Sequence, residues 1–239
     1  HSIASEVPEE RIYLFYTMYL LTLSGLLGMT ITGDVFNLFV FLEISSLSTY
    51  VMISQGNSNR AMTSAFRYLI LGTVGATFYV IGVGMMYQMT GTLNMADLAA
   101  KLPLVAETRT ILVALGFLTV GIGLKLGLFP IHGWLPNVYA YAPSIVTAFL
   151  AATATKVAMY VLLRIYFTVF GIKIFETLPV DEVLLILGVI TILTMSTVAI
   201  YQMDAKRLLA FSSVAQIGYM IIGVSMITAT GLTATILHL

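Results

Sequence analysis

Seven stretches of this chain run for about twenty residues or more with scarcely a charge among them. They lie at approximately 12–32, 34–54, 66–89, 110–138, 143–169, 181–202 and 208–228. A helix of that length crosses a hydrocarbon core about 30 Å thick. An eighth run begins near Gly231 and, as GLTATILHL, is too short for a crossing. Lipid offers no hydrogen-bond partners, so only helices or closed barrels cross it, and these continuous runs lack the alternating pattern of barrel strands. The expected fold is an all-α polytopic membrane bundle, one transmembrane domain over 1–239 with the lipid bilayer around it. Composition agrees: 59% of residues are hydrophobic and only 9% charged, against about one quarter charged in a soluble domain.

The 11 basic and 11 acidic residues cancel, so nothing points to nucleic acid as a partner. The chain has no cysteine, which excludes thiolate-held zinc, iron–sulfur clusters, covalently attached haem and disulfides within it. No cofactor or metal is expected, and any redox chemistry belongs on another subunit. No Gly-rich phosphate loop, metal-ligand spacing or nucleophile triad is present, so no catalytic residue is assigned. Whether the parent assembly is an enzyme stays open. The start, HSIASEVPEERIY, lacks the basic segment and cleavage site of a signal peptide. With the short last run, it leads to the expectation of a fragment of a longer polytopic protein.

Breakers separate the runs: TGD at 32–34, SQGNSNR at 54–60, TGTLN at 90–94 and YAP at 141–143. MADLAAKL, 95–102, reads as a short interfacial helix. Gly72, Gly75, Gly82 and Gly84 read as sites of close helix packing. Counted alternately, one face carries Arg11, Arg60, Arg67, Lys206 and Arg207 and the other Lys101, Arg109, Arg164 and Lys173, a slight preference for the first as cytoplasmic. Asp34 and Asp204 stand at helix starts, where capping accounts for them.

Three ionisable residues remain inside spans: Glu43, Lys125 and Lys156. At 1.5 Å per residue, Glu43 lies about 13 Å beyond Asp34 and Lys156 about 18 Å beyond Ser144, and Lys125 precedes Pro130 by five residues. A charge at such depth costs roughly 3 kcal/mol or more, so the three must be paired, hydrated or neutralised. Desolvation disfavours the charged form of a buried acid or base, which makes a proton transferable, and a neighbouring opposite charge restores it. One acid with two bases is therefore a candidate proton relay. The alternative is a static buried ion pair that fixes helix register.

The run 110–138 contains Pro130 in GLFPIHGWLP, which forces its surroundings out of regular helix. Non-helical backbone at membrane depth is tolerated only where protein or water surrounds it, and broken helices with charged residues are typical of ion sites in transporters. A packing kink is the competing explanation. His132 beside the break titrates near neutrality when unperturbed and so is a candidate proton carrier, as is His238 near the chain end. For both, a hydrogen-bonded structural role is the alternative.

GDVFNLFVFLEISSLSTYVMI (33–53), LKLGLFPIHGWLPNVYAYAPSIVTAFLAATATKVAMYVLLR (124–164) and DAKRLLAFSSVAQIGYMIIG (204–223) resemble the antiporter-like subunits of respiratory complex I and its relatives. Those relatives include the D-type subunits of Mrp sodium/proton antiporters and the matching subunits of membrane-bound hydrogenases. TGTLNMADLA (90–99) leans toward the Mrp D-type or hydrogenase branch. The resemblance implies two inverted five-helix repeats, each with one broken helix. This chain then matches helices four to ten and the start of helix eleven. It further implies that Glu43 is the family's key glutamate, Lys125 its partner on the broken helix, Lys156 the central lysine, and His238 a histidine of the same hydrophilic axis. The implied function is proton translocation within a multisubunit complex in the cell's inner (plasma) membrane, alongside other membrane subunits. A sodium-conducting antiporter subunit and a non-conducting scaffold for redox subunits are the alternatives.

Overall fold

The computed structural model describes residues 6–56, 58–172, 175 and 179–239; Lys173 lies outside them. Ten α-helices occur among the described residues. They are α1 (Ile12–Ile31), α2 (Val35–Ser54), α3 (Asn59–Thr90), α4 (Met95–Lys101), α5 (Arg109–Leu126), α6 (Leu135–Tyr141), α7 (Ser144–Leu163), α8 (Val180–Ile200), α9 (Ala205–Ser225) and α10 (Ala229–His238). Helix α7 continues into a π-helical segment, Arg164–Phe170. Seven helices are long and apolar enough to cross a membrane. The chain is a multi-pass membrane protein, and its outward side chains, such as Leu20, Ile186 and Leu193, are apolar.

Five helices begin at a short polar side chain that accepts from the first free N–H groups of the helix. Asp34 accepts from Phe36 and Asn37, each at 2.8 Å, and Asp204 from Lys206 and Arg207. Asn94, Ser58 and Thr228 serve α4, α3 and α10 in the same way. The capping role read for the two aspartates holds. Helix α4 forms where MADLAAKL was read as helical, and its approach is tied to that of α2. Val35 N–H donates to the Leu93 carbonyl and Met95 N–H to the Gly33 carbonyl.

Two boundaries differ most from the sequence reading. Helix α3 begins at Asn59 rather than 66, because the Ser58 cap organises a polar first turn that hydropathy alone passes over. The helix of the fourth run stops at Leu126, ahead of Pro130. Gly127 adopts a left-handed conformation (φ 81°), and the N–H groups of Gly127 and Leu128 both turn back to the Gly123 carbonyl, a glycine C-cap. Pro130, in a cis peptide after Phe129, lies within the break rather than starting it.

Helices α2, α3 and α5 form the inner layer, with α1 and α7 on one side of it. Small residues let backbones approach. A Cβ on Gly121 of α5 would stand 2.7 Å from the Gly75 carbonyl oxygen of α3, and Gly188 and Gly218 play the same part between α8 and α9. Gly72, Gly75 and Gly82 are packing sites as expected. Gly84 is not, since nothing lies within 4 Å of the Cβ it lacks. Buried hydrogen bonds add register: Thr22 to Ser48 at 2.8 Å between α1 and α2, and the Tyr79 hydroxyl to the Val35 carbonyl at 3.0 Å between α3 and α2. Arg164, just after α7, ties that helix to α1. Its guanidinium donates to the Thr32 carbonyl at 2.7 Å, closing the C-terminal end of α1.

Candidate functional site

Lys125 occupies the last turn of α5, where the unpaired carbonyls of the helix end favour a cation. The chain then runs through 127–134 without regular helix before α6 begins. One carbonyl freed by this break, that of Leu124, accepts from the indole Nε1–H of Trp134 at 2.8 Å. The Trp134 ring stacks on Tyr68 with centroids 4.0 Å apart. The break is therefore closed by a side chain of its own far edge.

The ammonium of Lys125 reaches into the inner layer near the middle of α2 and α3. It donates to the Ser46 hydroxyl and, at 3.4 Å, to the Tyr50 hydroxyl. It also lies 5.7 Å and 5.4 Å from the ring centroids of Tyr50 and Tyr68, within cation–π range. Beside it is a cavity of about 40 Å³, lined on its polar side by Lys125, Ser45, Ser46 and Thr49. The hydroxyl protons of Ser45, Ser46 and Thr49 go to backbone carbonyls of α2. Their oxygens remain able to accept, and the volume suits a few water molecules.

Glu43 is a neighbour of this site but not in contact with the ammonium. The carboxylate and Lys125 are near enough to feel each other's charge, yet no ion pair joins them within 4.0 Å; among the described residues the one such pair is Lys101–Asp97. Oxygen Oε1 of Glu43 is buried and accepts no hydrogen bond. The direct pairing implied by the resemblance is thus absent in this structure, and the ammonium takes Ser46 and Tyr50 as its hydrogen-bond partners instead.

The other candidates are spread out. The wall of the cavity on α7 is Ala154, Ala158 and Val161. Lys156 is two residues from either alanine, on roughly the opposite side of the helix, and its ammonium makes no hydrogen bond or ion pair among the described residues. His132 lies in the break, its ring stacked on Phe129 at 5.4 Å and its Nδ1 buried without a partner. It does not line the cavity. His238 is exposed near the end of α10, where Nε2 meets Gln216 Oε1 at 2.5 Å and Tyr219 packs against its ring.

Ser46, Tyr50, Tyr68 and Gly72 complete the site, and of these only Gly72 stands out in the sequence, as a packing glycine. A signal for two of the others exists: Glu43, Ser46 and Tyr50 are spaced i, i+3, i+7, which places them on one stripe of α2.

Residues 32–239 match the family profile described as "NADH:quinone oxidoreductase/Mrp antiporter, TM". The chain belongs to that family. It is 48% identical over 227 residues to NADH-quinone oxidoreductase subunit N of Desulforudis audaxviator, covering 94% of this chain and 44% of that protein. It is 32% identical over 231 residues to the D-type subunit of the Na(+)/H(+) antiporter of Alkalihalophilus pseudofirmus, covering 97% and 46%. Among solved structures it resembles a chain of the Mrp complex from Dietzia sp. with a TM-score of 0.81 and 30% identity, over 92% of this chain and 41% of that one. A chain of the membrane-bound sulfane sulfur reductase, an archaeal respiratory membrane complex, gives 0.79 and 33%, over 87% and 42%. The chain spans less than half the length of the curated relatives it matches.

Proposed function

We propose that this chain is part of a proton-translocating antiporter-like subunit, seated in the plasma membrane among other membrane subunits of a complex I, Mrp or hydrogenase type assembly. It would match helices four to ten and the start of helix eleven of that subunit. The observation that carries this reading is the Lys125 ammonium, placed at the end of a broken helix beside a small cavity with one polar wall, with Glu43 close by but unpaired. Holding a proton at that depth costs free energy, so the proton is transferable rather than fixed. A static ion pair would put the carboxylate on the ammonium, and it is not there.

Protons would reach Lys125 through water in the cavity, with the charge on Glu43 favouring its loading. Lys156 and His238 would continue the route, with His132 lying along the break. Because Lys156 faces away from the cavity, passage between the two lysines requires water to bridge the α7 face. The driving force comes from partner subunits.

Lys125→Ala in the assembled complex should lower proton transport by about a hundredfold, the scale of a lost acid–base group, with subunit assembly intact. Proton uptake by inverted membrane vesicles measures this. Unchanged transport would overturn the proposal and leave a membrane scaffold. Replacement of proton transport by sodium transport at the parent rate would point to the sodium-conducting alternative.

A further inference from the structure

Gly72 of α3 carries the least expected contact in the site. A Cβ there would overlap the Tyr50 hydroxyl and stand 3.3 Å from Lys125 Nζ. The missing side chain is what lets the tyrosine hydroxyl sit between α2 and α3 and reach the ammonium. Tyr50 is itself held by Tyr68, edge to face at 4.8 Å, and Tyr68 by Trp134. Ser46 is buried, and its own proton is committed to the Leu42 carbonyl, so toward Lys125 its oxygen can only accept. These groups form a fixed acceptor set for an ammonium.

We infer that Ser46 and Tyr50, seated against Gly72 and backed by Tyr68, are positioning residues that hold the Lys125 ammonium at the cavity and out of contact with Glu43. This inference rests on the proposed role of Lys125 as a proton carrier. The cradle gives the loaded lysine a place that is not an ion pair. Without it, the free carboxylate of Glu43 is the strongest remaining acceptor nearby, and an ammonium paired to it would be held rather than released.

The test uses the full subunit in its assembled complex and reads proton transport together with assembly. Tyr50→Phe keeps the ring and removes the acceptor, and Ser46→Ala removes the other; each should lower transport about tenfold, the effect of one hydrogen bond to a charged group. Gly72→Ala should lower it at least as far by displacing the hydroxyl. The double variant Gly72→Ala with Tyr50→Phe relieves that overlap, so it should assemble well yet transport no faster than Tyr50→Phe alone. If the hydroxyl merely fills space, Tyr50→Phe and the double variant will transport at the parent rate, and that result overturns the inference. Parent-rate transport by both Tyr50→Phe and Ser46→Ala, with Lys125→Ala inactive, would remove the cradle and leave the proposed function standing. An active Lys125→Ala would remove the function first.

Discussion

Trp134 is the residue on which the broken helix depends most directly. Its indole N–H is the partner of the Leu124 carbonyl, and a buried carbonyl left without a donor costs about 1–3 kcal/mol. Trp134→Phe keeps an aromatic ring for the stack on Tyr68 but loses that bond, so thermal unfolding of the detergent-solubilised protein should begin at a lower temperature than in the parent. At this scale the sequence is partly legible. Glu43, Lys125 and Lys156 stand out because charge is rare in apolar runs. The Ser46 and Tyr50 hydroxyls do not, and Gly72 reads only as a packing residue, because each type is common in membrane helices. Only the α2–α3–α5 crossing turns them into a binding set. In place of the expected Glu43–Lys125 contact, that crossing gives the ammonium the Ser46 and Tyr50 hydroxyls, of which the shared stripe with Glu43 is the one sign within α2.

Helices in this protein touch through glycine at some crossings and not at others, and substitution should separate the two. Gly121→Ala sets a methyl group 2.7 Å from one backbone atom and 2.8 Å from another on α3. It should destabilise by about 1–3 kcal/mol or prevent folding, as overpacking does. Gly84→Ala on α3 meets open space and should raise the melting temperature slightly, since alanine favours helix by up to about 1 kcal/mol. On α4, Lys101 donates to Asp97 at 2.9 Å and holds that carboxyl below the ordinary carboxylate range. Any stability from this pair is present above the unfolded carboxyl's titration and lost as pH falls through the folded one. Both side chains are exposed, so Asp97→Asn should leave the melting temperature unchanged at neutral pH. All seven crossings are legible as apolar runs. The ends are not, where polarity and helix part company: the polar first turn of α3 is helical because Ser58 caps it, and α5 stops at Gly127 because a left-handed glycine ends a helix as surely as a proline does.

Taken whole, the bundle sorts its ends. Arg60, Lys206 and the N-terminal turn of α7 share one end, where Glu6 accepts from the Ser144 N–H and Lys206 reaches the Ala142 carbonyl. Asp34, Lys101 and Arg164 share the other. The basic excess on the first end predicts that it faces the cytoplasm. Because the chain has no cysteine of its own, single substitutions report sidedness cleanly. A membrane-impermeant thiol reagent should label Asn59→Cys only in inverted vesicles and Leu104→Cys only in right-side-out ones; the reverse pattern would invert the topology. The chain also has a single tryptophan, and it stacks on Tyr68, one ring away from the lysine. Its emission therefore comes from the broken helix alone, which makes this chain an optical probe of its own proton site, with no label added.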